Sequence, residues 1–223
     1  MSLSIARYPN LVNENQKNDG EFQMWISPKH RTDEFEFPLN IDDLITIHED
    51  RVQGWFLNIA QALIPNHAND FVILMIVAAF FEGHTIFLNG ADSKDQSGKF
   101  FKQGFKAVMQ NQWIDSEAEL DAVAHMLWSQ VRNGLFHTGM IYSQAALYRG
   151  TDKEQHPPVK VYREELMPGL KGPDYLVLNA PKLLEIVQAY FSNYIAKLRD
   201  PSEVELRNNF QKGWEIQMSM RNS

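Results

Sequence analysis

The chain has 223 residues and a formal net charge of −7, and it is 44% hydrophobic and 22% charged. That balance excludes a disordered or fibrous chain. The lack of cysteine excludes disulfide scaffolds, thiolate metal sites, iron–sulfur clusters and cysteine nucleophiles. No apolar stretch follows Arg7, and the longest apolar run, Phe71 to Phe81, is shorter than the roughly 20 residues a membrane span needs. The expectation is therefore a soluble cytoplasmic protein with no membrane partner. The acidic balance argues against wholesale coating of nucleic acid but leaves room for one local basic site.

Residues 1–40 read as a polar N-terminal extension with two short strands, Phe22 to Ile26 and Phe35 to Leu39. Asn40 caps a helix running to about Leu63, with Asp43 in its first turn and Pro65 beyond its end. Leu44, Val52, Trp55, Phe56, Ile59 and Leu63 form its inward stripe. The next helix, about Asp70 to Leu88, is apolar nearly all round through Phe81 and so belongs at the centre of a bundle. Asn89-Gly90 ends it, and a shorter helix runs from Lys99 to Gln110.

Ser116 and Glu119 form a capping box. The helix behind it carries Leu120, Val123, Leu127, Val131 and Leu135 at three- or four-residue spacing and ends at Thr138, before Gly139. The period then changes: Val159 to Tyr162 and Tyr175 to Leu178 read as a β-hairpin within a 144–179 insert. Pro181 opens an amphipathic helix with Leu184, Val187, Phe191, Tyr194 and Leu198 inward. A last helix begins near Asp200 and carries Phe210 and Trp214. The fold class is mainly α: about six helices, with the hairpin inserted before the penultimate one. The helical domain spans 41–198, and the 199–223 helix packs on it.

No histidine pair lies four apart on a helix, and there is no His-Glu-x-x-His, glycine-rich phosphate loop or nucleophile elbow, so neither a metal nor a cofactor is expected. Glu82 and His84 face different sides of a helix, and Glu82 reads as meeting a buried partner or a helix end. His48-Glu49-Asp50-Arg51 reads as a solvated face, and Trp55, Trp128 and Trp214 as core or interface anchors. Lys99, Lys102 and Lys106 put a basic stripe beside Phe100, Phe101 and Phe105. That stripe either grips RNA phosphates and stacks an unpaired base or is a solvated lysine face over a phenylalanine core.

The informative stretch is Arg132-Asn133-Gly134-Leu135-Phe136-His137 at the end of the capped helix. An arginine and a histidine separated by four residues arise easily by chance; an asparagine after the arginine and the end of a core helix make the pattern specific. Asn133 and His137 are neighbours on one helix face. His137 sits in the last turn, where the helix dipole favours imidazolium and where a histidine can both take and give a proton. Gly134, costly inside a helix, implies a close backbone approach or a kink. The alternative is that Arg132 and His137 simply form a polar helix terminus.

Arg-Asn-x-x-x-His in this setting resembles the HEPN superfamily of helical-bundle domains, many of them metal-independent endoribonucleases of toxin–antitoxin, antiphage and CRISPR-associated systems. The resemblance spans about residues 41–198, with its specific part at Arg132 to His137. It implies Arg132 and His137 as the catalytic pair and Asn133 as a polar helper, and a homodimer whose two motifs face one active site. It further implies an RNA substrate and a separate antitoxin or regulator as partner. The same fold used without catalysis, as a nucleotide-binding or protein-interaction module, is the rival reading. A small-molecule enzyme would lack a second acid–base group.

Overall fold

The computed structural model describes residues 25–113, 116–150, 157–167 and 170–219. Six helices dominate it, two of them interrupted by a π-helical turn. The first comprises α1 (Ile41–Val52), a π turn at Gln53–Leu57 and α2 (Asn58–Leu63). The Asn40 carboxamide accepts from the backbone N–H groups of Asp42 and Asp43, and Asp43 returns a bond to the Asn40 N–H, so the expected cap is present.

The inward stripe on this helix differs from the expected one. Leu44 is buried, but Trp55, Phe56 and Ile59 are 43%, 47% and 48% exposed, while Leu57 and Ala60 are fully buried. The π turn is the reason. It inserts one extra residue, which rotates everything downstream by about 100°. Leu57 and Ala60 then take the places a regular helix would give Phe56 and Ile59.

α3 (Asp70–Asn89) is the central helix, packed by α4 (Ser97–Met109), α7 (Ala180–Leu198) and α8 (Val204–Ser219). Residues 67–89 are long and apolar enough to cross a membrane by length and composition, yet half of that window is buried inside the bundle. α4 crosses α3 at Gly104, where an added Cβ would lie 2.1 Å from the Phe81 carbonyl oxygen. The Thr85 hydroxyl beside it hydrogen-bonds the carbonyls of Phe81 and Phe100. Leu184, Val187, Phe191, Tyr194 and Leu198 of α7 all face the core, as do Phe210 and Trp214 of α8.

α5 (Glu117–Met126), a π turn at Leu127–Arg132 and α6 (Asn133–Thr138) make one further helix. Half of the expected capping box forms: the Ser116 hydroxyl accepts from the Glu119 N–H, while the Glu119 carboxylate accepts from Arg163. The inward residues Leu127, Val131 and Leu135 are spaced by four, which drifts round a 3.6-residue helix. The π turn cancels the drift, and all three stay buried.

The expected hairpin is part of a three-stranded sheet. β2 (Val159–Met167) pairs antiparallel with β3 (Leu170–Leu178), with Tyr162 opposite Tyr175. β1 (Ala145–Leu147) adds in parallel on the other side of β3; three residues without alternation carry no strand signal. Arg149, just past β1, ties the sheet to the start of α3 through Asp70 and the Ile64 carbonyl.

The N-terminal region needs two corrections. Of the strand expected at 22–26, only Trp25 and Ile26 are described, and Trp25 makes a single bridge to Arg31. Residues 35–39 are not a strand; a 3-10 turn, Thr32–Glu34, precedes them. The second correction concerns the cluster expected to be solvated, because His48, Asp50 and Arg51 are buried. Asp50 accepts from the Lys29 N–H at 2.7 Å, and Arg51 donates to the Ile26 carbonyl at 2.7 Å. The polar face of α1 is thus covered by the incoming segment, which it anchors.

His48 and His84 meet in an aromatic core. His48 packs on Phe87, Phe191 and Phe210, and His84 on Phe80, Tyr190 and Tyr194. Neither ring nitrogen of His84 has a hydrogen-bond partner among the described residues, nor does Nε2 of His48. Burial pushes both imidazoles from 6.5 down to about 3, with the nearby charges of His84 and Arg51 adding to the effect on His48. Burial also pushes the Tyr190 phenol up to about 12.

Candidate functional site

The motif occupies the last π turn and α6, and each of its residues is placed by a specific local cause. Trp128 lies against Gly98 at the start of α4, where a Cβ would come within 3.0 Å of the indole. Its ring centroid is 5.4 Å from that of Phe101. The indole therefore forms a fixed platform. The Arg132 guanidinium sits 4.5 Å from the Trp128 ring centroid and 5.1 Å from that of Phe136. Its Nη2 donates to Glu82 Oε2 at 3.1 Å, with both side chains about one fifth exposed.

Two cation–π contacts and one ion pair hold the arginine in place. A guanidinium carries five N–H donors, so the single bond to Glu82 leaves others for an anion. Glu82, read as meeting a buried partner or a helix end, meets the half-buried Arg132, 50 residues away. The sequence signal was the lone acidic residue in an otherwise apolar stretch of helix. Trp128, read as an anchor, is also the arginine's platform.

His137 stands in the last turn of α6 and is exposed, with no hydrogen bond or ion pair to any described residue. Asn133 is half-buried. The helix closes as expected: Gly139 adopts φ +73° and its N–H donates to the Leu135 carbonyl, while the Thr138 hydroxyl caps the Gly134 carbonyl. The structure thus fixes Arg132 firmly and leaves His137 facing solvent.

Gly134 marks a close approach rather than a kink. The chain turns back after Gly139, and an added Cβ at Gly134 would lie 2.2 Å from the Met140 carbonyl oxygen. The same return brings the Tyr142 N–H to the Gln130 carbonyl in the π turn, at 2.8 Å. Gly134→Ala is expected to destabilise the protein by about 3 kcal/mol despite alanine's better helix propensity. Thermal unfolding would show this as a Tm about 6–12 °C lower; an unchanged Tm would contradict the close approach.

The lysine stripe is built differently from a stacking platform. Phe100, Phe101 and Phe105 are 3%, 0% and 0% exposed, so no base can stack on them. Lys106 is bound to Asp121 at 2.6 Å and lies 3.8 Å from Glu117, and the hydrogen bond to Asp121 raises its pKa. Lys99 contacts Gln96. Arg149 and His156 also fit the loose arginine–histidine spacing, but Arg149 is bound to Asp70 and His156 lies outside the described residues.

A cleft of about 200 Å³ adjoins the motif, bordered by Ala79, Glu82, Gly83, Ser93, Arg132 and Phe136. Phe136 is 45% exposed at its mouth. Among the described residues, no three histidine or acidic side chains are grouped to hold a metal ion. Comparison with protein-family models, with curated proteins and with solved structures finds no match.

Proposed function

We propose that this chain is a metal-independent endoribonuclease of HEPN type that works as a homodimer. The observation that carries the reading is Arg132: a guanidinium held by two aromatic rings and one carboxylate at the rim of a cleft, five residues before an exposed histidine. In the proposed reaction the RNA's own 2′-oxygen attacks phosphorus. One histidine takes the 2′-OH proton, an acid protonates the departing 5′-oxygen, and Arg132 offsets the charge that builds on the phosphoryl oxygens. The products are a 2′,3′-cyclic phosphate and a free 5′-hydroxyl.

One chain supplies a single His137, so a second copy must supply the other proton-transfer group. Met140 and Tyr142, 59% and 38% exposed just past the motif helix, offer apolar surface for that contact. Toxin or antiphage-defence context and a separate antitoxin belong to the same proposal. The test is incubation with total RNA in EDTA beside an Arg132→Ala/His137→Ala double variant. Cleavage by the wild type alone, with cyclic-phosphate ends, supports the reading, and intact RNA in both samples from a folded dimer overturns it.

Glu82 favours a second reading. A carboxylate already paired with the arginine opposes the entry of phosphate, as does the net charge of −7. Of the non-catalytic alternatives, a nucleotide-binding or a protein-interaction module, both observations fit the protein-interaction form, which a folded protein with neither cleavage of RNA nor affinity for nucleotide would support.

A further inference from the structure

Glycine inside a helix costs about 1 kcal/mol relative to alanine, so each one calls for a reason. Gly54, Gly98, Gly104, Gly134 and Gly213 all have it: a Cβ at any of them would come within 3.0 Å of another part of the chain. Gly83 has none among the described residues, since a Cβ there would meet none of them within 4 Å. It lies in α3 between Glu82 and His84, half-buried, and it borders the cleft beside Arg132 and Phe136. No described residue therefore accounts for the bare backbone at Gly83, whereas an occupant of the cleft would.

The cleft's borders describe that missing group. Its volume of about 200 Å³ is below the roughly 300–1,000 Å³ of ordinary ligand pockets, so what it holds is one ring system, with the rest of a ligand lying outside it. Phe136, over whose ring the Arg132 guanidinium sits, still leaves 45% of its surface exposed, and unpaired bases stack on aromatic rings. Glu82 gives the cleft hydrogen-bond acceptors: a carboxylate has about four lone-pair sites, of which Arg132 uses one. A carboxylate selects a base that presents N–H donors, and guanine presents two side by side, N1–H and the N2 amino group. Uracil presents one N–H between two carbonyls, and adenine and cytosine each present a single amino group.

We propose that the Gly83 cleft is a base-reading subsite in which a guanine next to the scissile phosphate lies over the Gly83 backbone, stacks on Phe136 and is read by Glu82. The inference rests on the ribonuclease reading, and it makes Glu82 a specificity residue and Gly83 the clearance for the base. A second copy of the chain is the competing occupant, since two helices can also meet over a glycine.

The test is a binding titration, so it does not depend on cleavage. Uncleavable 2′-O-methyl hexanucleotides carrying one guanine, or none, are titrated by fluorescence anisotropy against wild type, Gly83→Leu, Gly83→Ala and Glu82→Gln. The wild type is expected to bind the guanine-containing strand about 10-fold more tightly or better, the range of a bidentate base contact. That preference is expected to vanish in Gly83→Leu and Glu82→Gln. Gly83→Ala, with its small methyl in open space, is expected to raise the Tm by a few degrees, which shows that the glycine is not kept for stability. Equal affinity for both strands, or a guanine preference that survives Gly83→Leu, would overturn the proposal. So would a Gly83→Leu variant that light scattering shows to have lost its dimer, because the second copy would then be the occupant. A failed cleavage assay in EDTA combined with intact guanine preference would overturn catalysis and leave the subsite standing.

Discussion

His137→Ala is expected to slow RNA cleavage about 10²–10⁴-fold, the usual contribution of a positioned proton-transfer group, with no measurable change in Tm. The second half of this expectation follows from the structure. His137 is exposed and bonded to no described residue, and substitutions at such positions stay within about 0.5 kcal/mol. Lost activity would therefore report on chemistry and not on folding. Arg132→Ala is expected to behave differently, losing activity and stability together. Its removal strips the partner from Glu82 and deletes two ring contacts, costing about 1–3 kcal/mol through the half-buried carboxylate left behind. Arg132→Lys, which keeps the charge but not the planar fork, separates the two effects. Rate constants on a defined RNA and thermal melts of the three variants check this; full activity in His137→Ala would end the assignment of His137 as the proton-transfer group.

Acid is expected to destabilise this protein steeply, and the cause is the pair of histidines in the aromatic core. Both titrate near 6.5 in the unfolded chain, while burial holds them neutral down to about 3 in the folded one. Between those values the unfolded state binds two more protons than the folded state, so stability rises with pH and is lost as pH falls. It is fully present above pH 6.5, and the loss is complete near pH 3. Two histidines give a slope of about 3 kcal/mol per pH unit, large against a total stability of about 5–15 kcal/mol. Urea midpoints measured at half-unit steps from pH 7 to pH 4 would show it. His84→Leu is expected to halve the slope, and it removes two ring nitrogens that have no partner, so it need not lower stability at neutral pH. A flat profile would mean that these imidazoles reach water.

The two predictions draw on different parts of what the sequence makes legible. Helix positions were readable because their signals are local. Asn40 with Asp43, the Ser116 cap, the Gly139 terminus and the apolar period of α7 all act within one or two turns, and each stands where expected. The motif was readable for the same reason, since Arg132 to His137 lie within two turns of one helix. The strand pair 159–178 showed its alternation, whereas β1 is too short to show any.

What the sequence left open depends on contacts between distant residues. The π turn at Gln53–Leu57 left no sign in the apolar period of that helix, and it turned Phe56 and Ile59 outward. His48, Asp50 and Arg51 look solvated until residues 26–31 fold over them. Arg132 finds Glu82 across 50 residues, and the bare backbone of Gly83 acquires meaning only beside that pair. The amino-acid sequence by itself determined the helices, their caps and the candidate arginine and histidine, because hydrogen bonding and side-chain period act over a few residues. Tertiary structure alone decided which faces are buried, what holds the arginine and where the cleft lies, because burial and charge pairing depend on neighbours that chain order does not reveal.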